Sequence, residues 1–123
     1  MTDARSRVWR LRPGGEFERV RQTGRSWPHR LLIVIVQPRA DGPSARSRVA
    51  VAAGKRLGNA VVRNRIKRRL REAIRQVYPQ LASGYDVIVI ARAPIIEAQV
   101  VQIAAALSEV LRRAKLWPVE SNA

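Results

Sequence analysis

Between Lys55 and Arg71 the sequence reads KRLGNAVVRNRIKRRLR, which holds eight of the chain's 24 lysines and arginines and no acid. Such a run cannot be a buried core helix, because each uncompensated buried charge is very costly. Yet Val62, Ile66, Leu70, Ala73, Ile74 and Val77 recur every three or four residues, the spacing of one apolar helical face. Asn59 stands where an N-cap belongs, just ahead of that pattern. The spacing predicts a helix from about Asn59 to about Val77, packed on a core along one side and arginine-rich on the other.

At about 100° per residue the apolar positions fill roughly a third of the circle. Asn64, Arg68, Arg71 and Arg75 fall opposite them, Arg65 and Arg69 on one shoulder, Arg63 and Lys67 on the other. Glu72 is the only acid in the predicted helix, so internal pairing cannot neutralise this face. It requires an external polyanion, for which phosphate is the obvious chemistry.

The rest of the composition agrees. A net charge of +15 on 123 residues exceeds what solubility needs and opposes compaction unless a partner neutralises it. The length suits a single domain, 1–123, with one modest core, and 46% hydrophobic residues mark it as globular. Without cysteine there is neither a disulfide framework nor a thiolate zinc site. The longest apolar run, Leu31 to Val36, is far short of the ~20 residues that span a bilayer. The first residues lack the apolar centre of a signal peptide, so a cytoplasmic location and no membrane partner are expected.

Residues 1–12 read as a basic arm carrying Arg7, Arg10 and Arg12 among Val8, Trp9 and Leu11. Pro13 to Gln22 suits a short helix with Phe17 and Val20 on one face and Gly24 as its stop. Leu31–Gln37 is an apolar, β-branched strand, and Asp41-Gly42-Pro43 a turn. Arg48–Ala53 reads as a second strand pairing back on the first as a hairpin. Its small Ala50 and Ala52 admit close approach of a helix, the default, or of a ligand. Asp86–Arg92 forms another strand, and Pro94 opens a long helix striped by Ile96, Val100, Ile103, Leu107, Val110, Leu111 and Ala114. Residues 118–123 are expected to be a flexible tail. The order implies an α/β (α+β) two-layer sandwich.

Catalytic machinery is not evident. The nine acids are scattered, and Glu16 and Glu18 point to different sides of their helix. His29 is the sole histidine, and neither a Gly-x-Ser-x-Gly elbow nor a phosphate-cradling glycine loop is present. No catalytic residue and no dedicated metal site are therefore assigned. With 5% aromatic residues and no RNP motif, a base-stacking sheet platform is also unsupported. A helix face made almost wholly of arginine favours phosphates and folded RNA over the base edges of duplex DNA. The residues describe an RNA-binding protein.

The segment Val49–Ile74, with GKRLGNAVVRNRIKRRLREAI at its heart, resembles the protein subunit of bacterial ribonuclease P. Lys55-Arg56-Leu57-Gly58-Asn59-Ala60-Val61 followed by Arg63-Asn64-Arg65-Ile66-Lys67-Arg68 carries the likeness, which extends from about Leu11 to Leu116. The resemblance implies an αβββαβα fold, ribosomal protein S5 domain 2-like, with a left-handed βαβ crossover and an additional short strand near Arg25–Pro28. It further implies a ribonucleoprotein endoribonuclease that removes the 5′ leader of precursor tRNA. The catalytic groups and the Mg2+ ions would belong to the RNA subunit, and no obligate protein partner is implied.

Carried onto this sequence, Arg63, Asn64, Arg65, Lys67, Arg68, Arg69 and Arg71 would face the catalytic RNA. Phe17, Arg21, Ile35, Lys55 and Arg56 would belong to the leader cleft. Arg21 and Ile35 stand where the family carries aromatics, which shifts leader binding from stacking towards phosphate charge. Size and charge suit equally a ribosomal-type structural RNA-binding protein or an RNA chaperone, and the RNA that copurifies separates these readings.

Overall fold

The predicted basic helix is present as Ala60–Val77, and its apolar stripe is the centre of the main core. The structure, a computed structural model, describes residues 9–12 and 14–117. Arg7 of the basic arm and the tail 118–123 lie outside the described residues.

Helix α1 (Gly15–Thr23) leads into β1 (Arg25–Pro28), β2 (Leu32–Pro38) and β3 (Arg48–Ala52). Then come α2 (Ala60–Val77), β4 (Tyr85–Ala91) and α3 (Val100–Arg113). Short 3-10 turns at Lys55–Leu57, Tyr78–Gln80 and Ala93–Glu97 punctuate the connections. Asn59 caps α2 as expected: its side chain accepts from the Val62 amide at 3.0 Å. Gly58, at φ +143°, supplies the turn before that cap, and a Cβ there would press on Val62.

One four-stranded sheet runs in the order β1-β2-β4-β3. β1 and β2, and β2 and β4, are antiparallel, whereas β3 and β4 are parallel. The expected hairpin between Leu31–Gln37 and Arg48–Ala53 does not form. β4 lies between them, paired with β2 from Leu32↔Ala91 to Pro38↔Tyr85. The reason is burial. β4 is apolar on both faces and almost wholly buried, a composition that belongs in the centre of a sheet rather than at its edge. The third helix also departs from expectation. Pro94 opens a 3-10 turn, Ala98 is extended, and α3 begins only after Gln99, which forms a capping box with Gln102.

The strand register separates two faces. Val34, Val36, Val49, Val87 and Val89 turn to α2 and α3, where Ile66, Leu70, Ile74, Ile103, Leu107 and Val110 complete the large core. Ile35, Ile88 and Ala50 turn the other way and meet Val20 of α1 and Leu11. α1 approaches this face closely at Gly24, where a Cβ would lie 2.6 Å from the Val20 carbonyl oxygen and 2.7 Å from Ile35. At its other end α1 is tied by charge. Asp86, fully buried, accepts from Arg48 at 2.8 and 2.9 Å and lies 3.6 Å from Arg19. Glu16 joins both arginines, at 3.3 Å to Arg19 and 3.4 Å to Arg48.

Leu70→Ala should cost ~2–5 kcal/mol in urea unfolding, since it removes a wholly buried side chain from the large core. Asp86→Ala should cost about 3 kcal/mol, the low end for breaking a buried pair, because the stranded Arg48 is 25% exposed and retains some water.

Candidate nucleic-acid interface

The cations of α2 divide between two directions. Asn64, Arg65, Arg68 and Arg75 are exposed, and of these Arg75 is paired with Glu72 at 2.8 Å. Arg63 is half-buried and donates back to the Gly58 carbonyl at 3.2 Å. Arg69 donates to the Ile96 and Ala98 carbonyls at 3.2 and 3.4 Å, which fixes its head without neutralising it. Asn64, Arg65 and Arg68 therefore form an outward polar strip with no acidic partner among the described residues.

Arg71 differs from the helical-wheel expectation. It is half-buried and, with Lys67, lines a cleft of about 280 Å³. The segment Trp9–Arg12 runs beside this flank of α2 and covers it. Leu11 donates to the Val49 carbonyl at 2.9 Å, so the segment lies on the outer edge of β3. Trp9 is buried, with its ring centroid 6.1 Å from that of Tyr78, and Tyr78 in turn donates to the Ser47 carbonyl at 2.6 Å.

The cleft has Leu11 and Val49–Val51 as its floor and Phe17 of α1 on one side. Lys67 and Arg71 stand on the other, with Arg10 and Arg12 beside them. No acid lines it. Burial, then the neighbouring Arg10 charge, pulls the Arg71 guanidinium below the usual arginine range. The buried Trp9 Nε1–H has no acceptor among the described residues. Several uncompensated donors and cations around one concavity provide a seat for an anion.

Of the residues assigned to a leader cleft, Phe17 lines this cavity and the other four do not. Arg21 is exposed on the outer side of α1, 3.9 Å from Glu18. Ile35 is buried beneath α1 against the small core. Lys55 and Arg56 are exposed in the 3-10 turn after β3. The sheet face continues from the cavity through Ala52, Ile33 and Ile90, all half-buried, and β3 leads straight to that turn. Arg10 and Arg12 of the arm do line the cavity. Sequence reasoning missed Leu11, Val49, Ala50 and Val51 as cleft residues. Ala50 carried the one usable signal: both occupants it admitted are accommodated, α1 over one part of it and the cavity over the other.

Among the described residues no three His, Cys, Asp or Glu side chains come together to hold a metal ion. None of the described helices is long and apolar enough to cross a membrane.

A family model described as Ribonuclease P matches residues 6–115. The ribonuclease P protein component of Herpetosiphon aurantiacus is 47% identical over 112 residues, covering 90% of this chain and 88% of that protein. That of Roseiflexus castenholzii is 43% identical over 109 residues, covering 88% and 87%. Among solved structures, the RNase P protein of Staphylococcus aureus superposes with a TM-score of 0.76 at 32% identity, covering 89% of this chain and 97% of that one.

Arg68→Ala should leave unfolding unchanged and lower the slope of log affinity against log salt for RNA by about one unit, the share of one phosphate contact. Ile66→Ala, two positions away but on the buried face, should lose stability at an unchanged slope.

Proposed function

The chain belongs to the family of ribonuclease P protein components, which serve tRNA 5′ processing within a ribonucleoprotein endoribonuclease, and from that membership we propose a division of labour on α2. Its outward strip, Asn64, Arg65 and Arg68, holds the catalytic RNA. Its inward cations, Lys67 and Arg71, hold the 5′ leader of precursor tRNA in the cleft. The observation that carries this reading is that one helix presents unpaired arginines to solvent and two half-buried cations to a concavity. The family membership sets aside the ribosomal-type alternative.

In this reading the chain contributes binding and orientation. An extended single strand lies along the cleft with its phosphates near Lys67, Arg71, Arg10 and Arg12. Phe17 offers one base a stacking surface, worth ~1–3 kcal/mol. With Arg21 and Ile35 in place of aromatics, the leader is held mainly through its backbone, which makes its binding weakly dependent on sequence and strongly dependent on salt. Lys55 and Arg56 extend the positive path beyond the cavity. Because α2 is shared by both surfaces, binding the leader fixes the substrate relative to the catalytic RNA, which replaces a bimolecular search by positioning. Catalysis in the family is RNA-based and generally uses Mg2+. We assign that ion to the RNA, where the protein's cations reduce the repulsion between two polyanions and so lower the magnesium concentration needed.

Adding the protein to its cognate catalytic RNA at near-physiological magnesium should raise precursor tRNA cleavage, while the protein alone cleaves nothing. Unchanged cleavage overturns the assignment. Lys67→Ala with Arg71→Ala should weaken binding of precursor with a leader by at least tenfold and leave mature tRNA binding unaltered. An equal loss for both would remove the leader from the cleft.

A further inference from the structure

The ion pairs of the described residues show where the excess charge is left. Glu16 and Asp86 engage Arg19 and Arg48, Glu18 lies near Arg21, Asp41 takes Arg39, and Glu72 takes Arg75. Beyond the cations of α2 and the cleft, a second group stays unpaired with acid at the far side of the sheet. It comprises Arg25, Arg30, Arg92, Arg112, Arg113 and Lys115, all exposed.

Direct contacts join most of this group into one surface along β1 and the C-terminal end of α3. Arg113 donates to the Pro28 carbonyl at 3.2 Å, and Arg92 donates to the His29 carbonyl at 3.1 Å. His29 Nε2 lies 3.5 Å from Glu109, the one acid found there among the described residues. The Arg25 guanidinium sits 4.6 Å from the centroid of the Trp27 ring, and Arg112 sits 5.2 Å from that of Trp117. Stacking on indole restrains an arginine while leaving its in-plane N–H groups unspent, the state suited to bidentate contact with phosphate. The α3 dipole accounts for cations at its C-terminus. It does not account for Arg25, Arg30 or Arg92, which belong to other elements. Lys115 moreover takes φ +64° at the helix end, where glycine is conformationally cheaper, so a charge occupies a position that backbone preference would assign otherwise.

We infer that the β1 edge and the C-terminal end of α3 form a second surface for RNA backbone, so that the protein clamps two RNA segments at opposite edges of its sheet. The inference rests on the RNA-binding role proposed above and adds a contact that α2 cannot make. β1 and β3 are the outer strands, three inter-strand spacings or roughly 15 Å apart. α2 and the cleft adjoin β3. Charge selects the occupant: six cations against one acid match a phosphodiester chain, and the restrained guanidinium groups match its planar oxygen pairs.

The test uses the protein with its cognate catalytic RNA and compares Arg25→Gln/Arg112→Gln with Arg68→Ala. The double variant should lower the salt slope of RNA binding by about two units. In backbone footprinting it should lose protections at nucleotides different from those lost in Arg68→Ala. If loss of the indole contacts unfolds this variant, Arg30→Gln/Lys115→Gln, exposed side chains with no hydrogen bond or ion pair among the described residues, serves in its place. An unchanged slope and footprint beside normal wild-type binding would overturn the second surface and leave it to an acidic protein or an anionic membrane. Loss of the same protections in both variants would overturn it as well. Failure of the wild-type protein to bind the RNA would instead refute the function on which it rests.

Discussion

A carboxylate with no access to solvent has to be compensated, and Asp86 is compensated by two arginines from two different elements. Arg48 comes from the neighbouring strand, and Arg19 comes from a helix that otherwise touches the sheet through a small apolar cluster. The charge network therefore fixes the N-terminal half of α1, while Gly24 lets its C-terminal end settle on β2. Phe17 lies within the charge-tied half, between Glu16 and Arg19. The position of this wall of the cleft therefore depends on a buried ion at the base of the sheet that does not itself line the cleft.

The same scarcity of acids shapes the surface. The acids nearest α1 are spent on holding it, and those on α2 and α3 are single. Apart from Arg39, which pairs with Asp41, several cations elsewhere meet only carbonyls or indole rings among the described residues. Carbonyls and rings orient an arginine without cancelling its charge, so the molecule retains its field while giving its heads fixed directions. That combination distinguishes a shaped RNA-binding surface from a merely cationic one.

How much of this was legible in the sequence depended on the range of the interactions involved. The N-cap at Asn59, the buried stripe Ile66–Leu70–Ile74 and the exposed Arg65 and Arg68 follow from local periodicity, and they are found as read. Strand β1, too short to announce itself, came from the family resemblance and lies at Arg25–Pro28. Strand order did not come through, because a hairpin is the local default and the placement of β4 is decided by competition among distant segments. Arg71 illustrates the same limit. Its position on the wheel is set by α2, but its burial is set by Trp9–Arg12, a segment about sixty residues earlier that periodicity cannot place. The cleft is made where three remote pieces meet, and only Phe17, through the family resemblance, and the smallness of Ala50 pointed to it.

The central position of β4 also governs the order in which the chain can assemble. β2 and β3 are synthesised early but have no contact as neighbours in the sheet. They acquire their common partner only after the whole of α2 has been made. Until then two apolar strands and a strongly cationic helix must coexist without a sheet to bury the former or a core to seat the latter. Loop closure over this span makes the decisive pairing non-local, the kind that slows folding and prolongs exposure of sticky edges. A polyanion that engages the helix during this interval would relieve its self-repulsion before the sheet closes, so RNA would act on the pathway of folding as well as on its product.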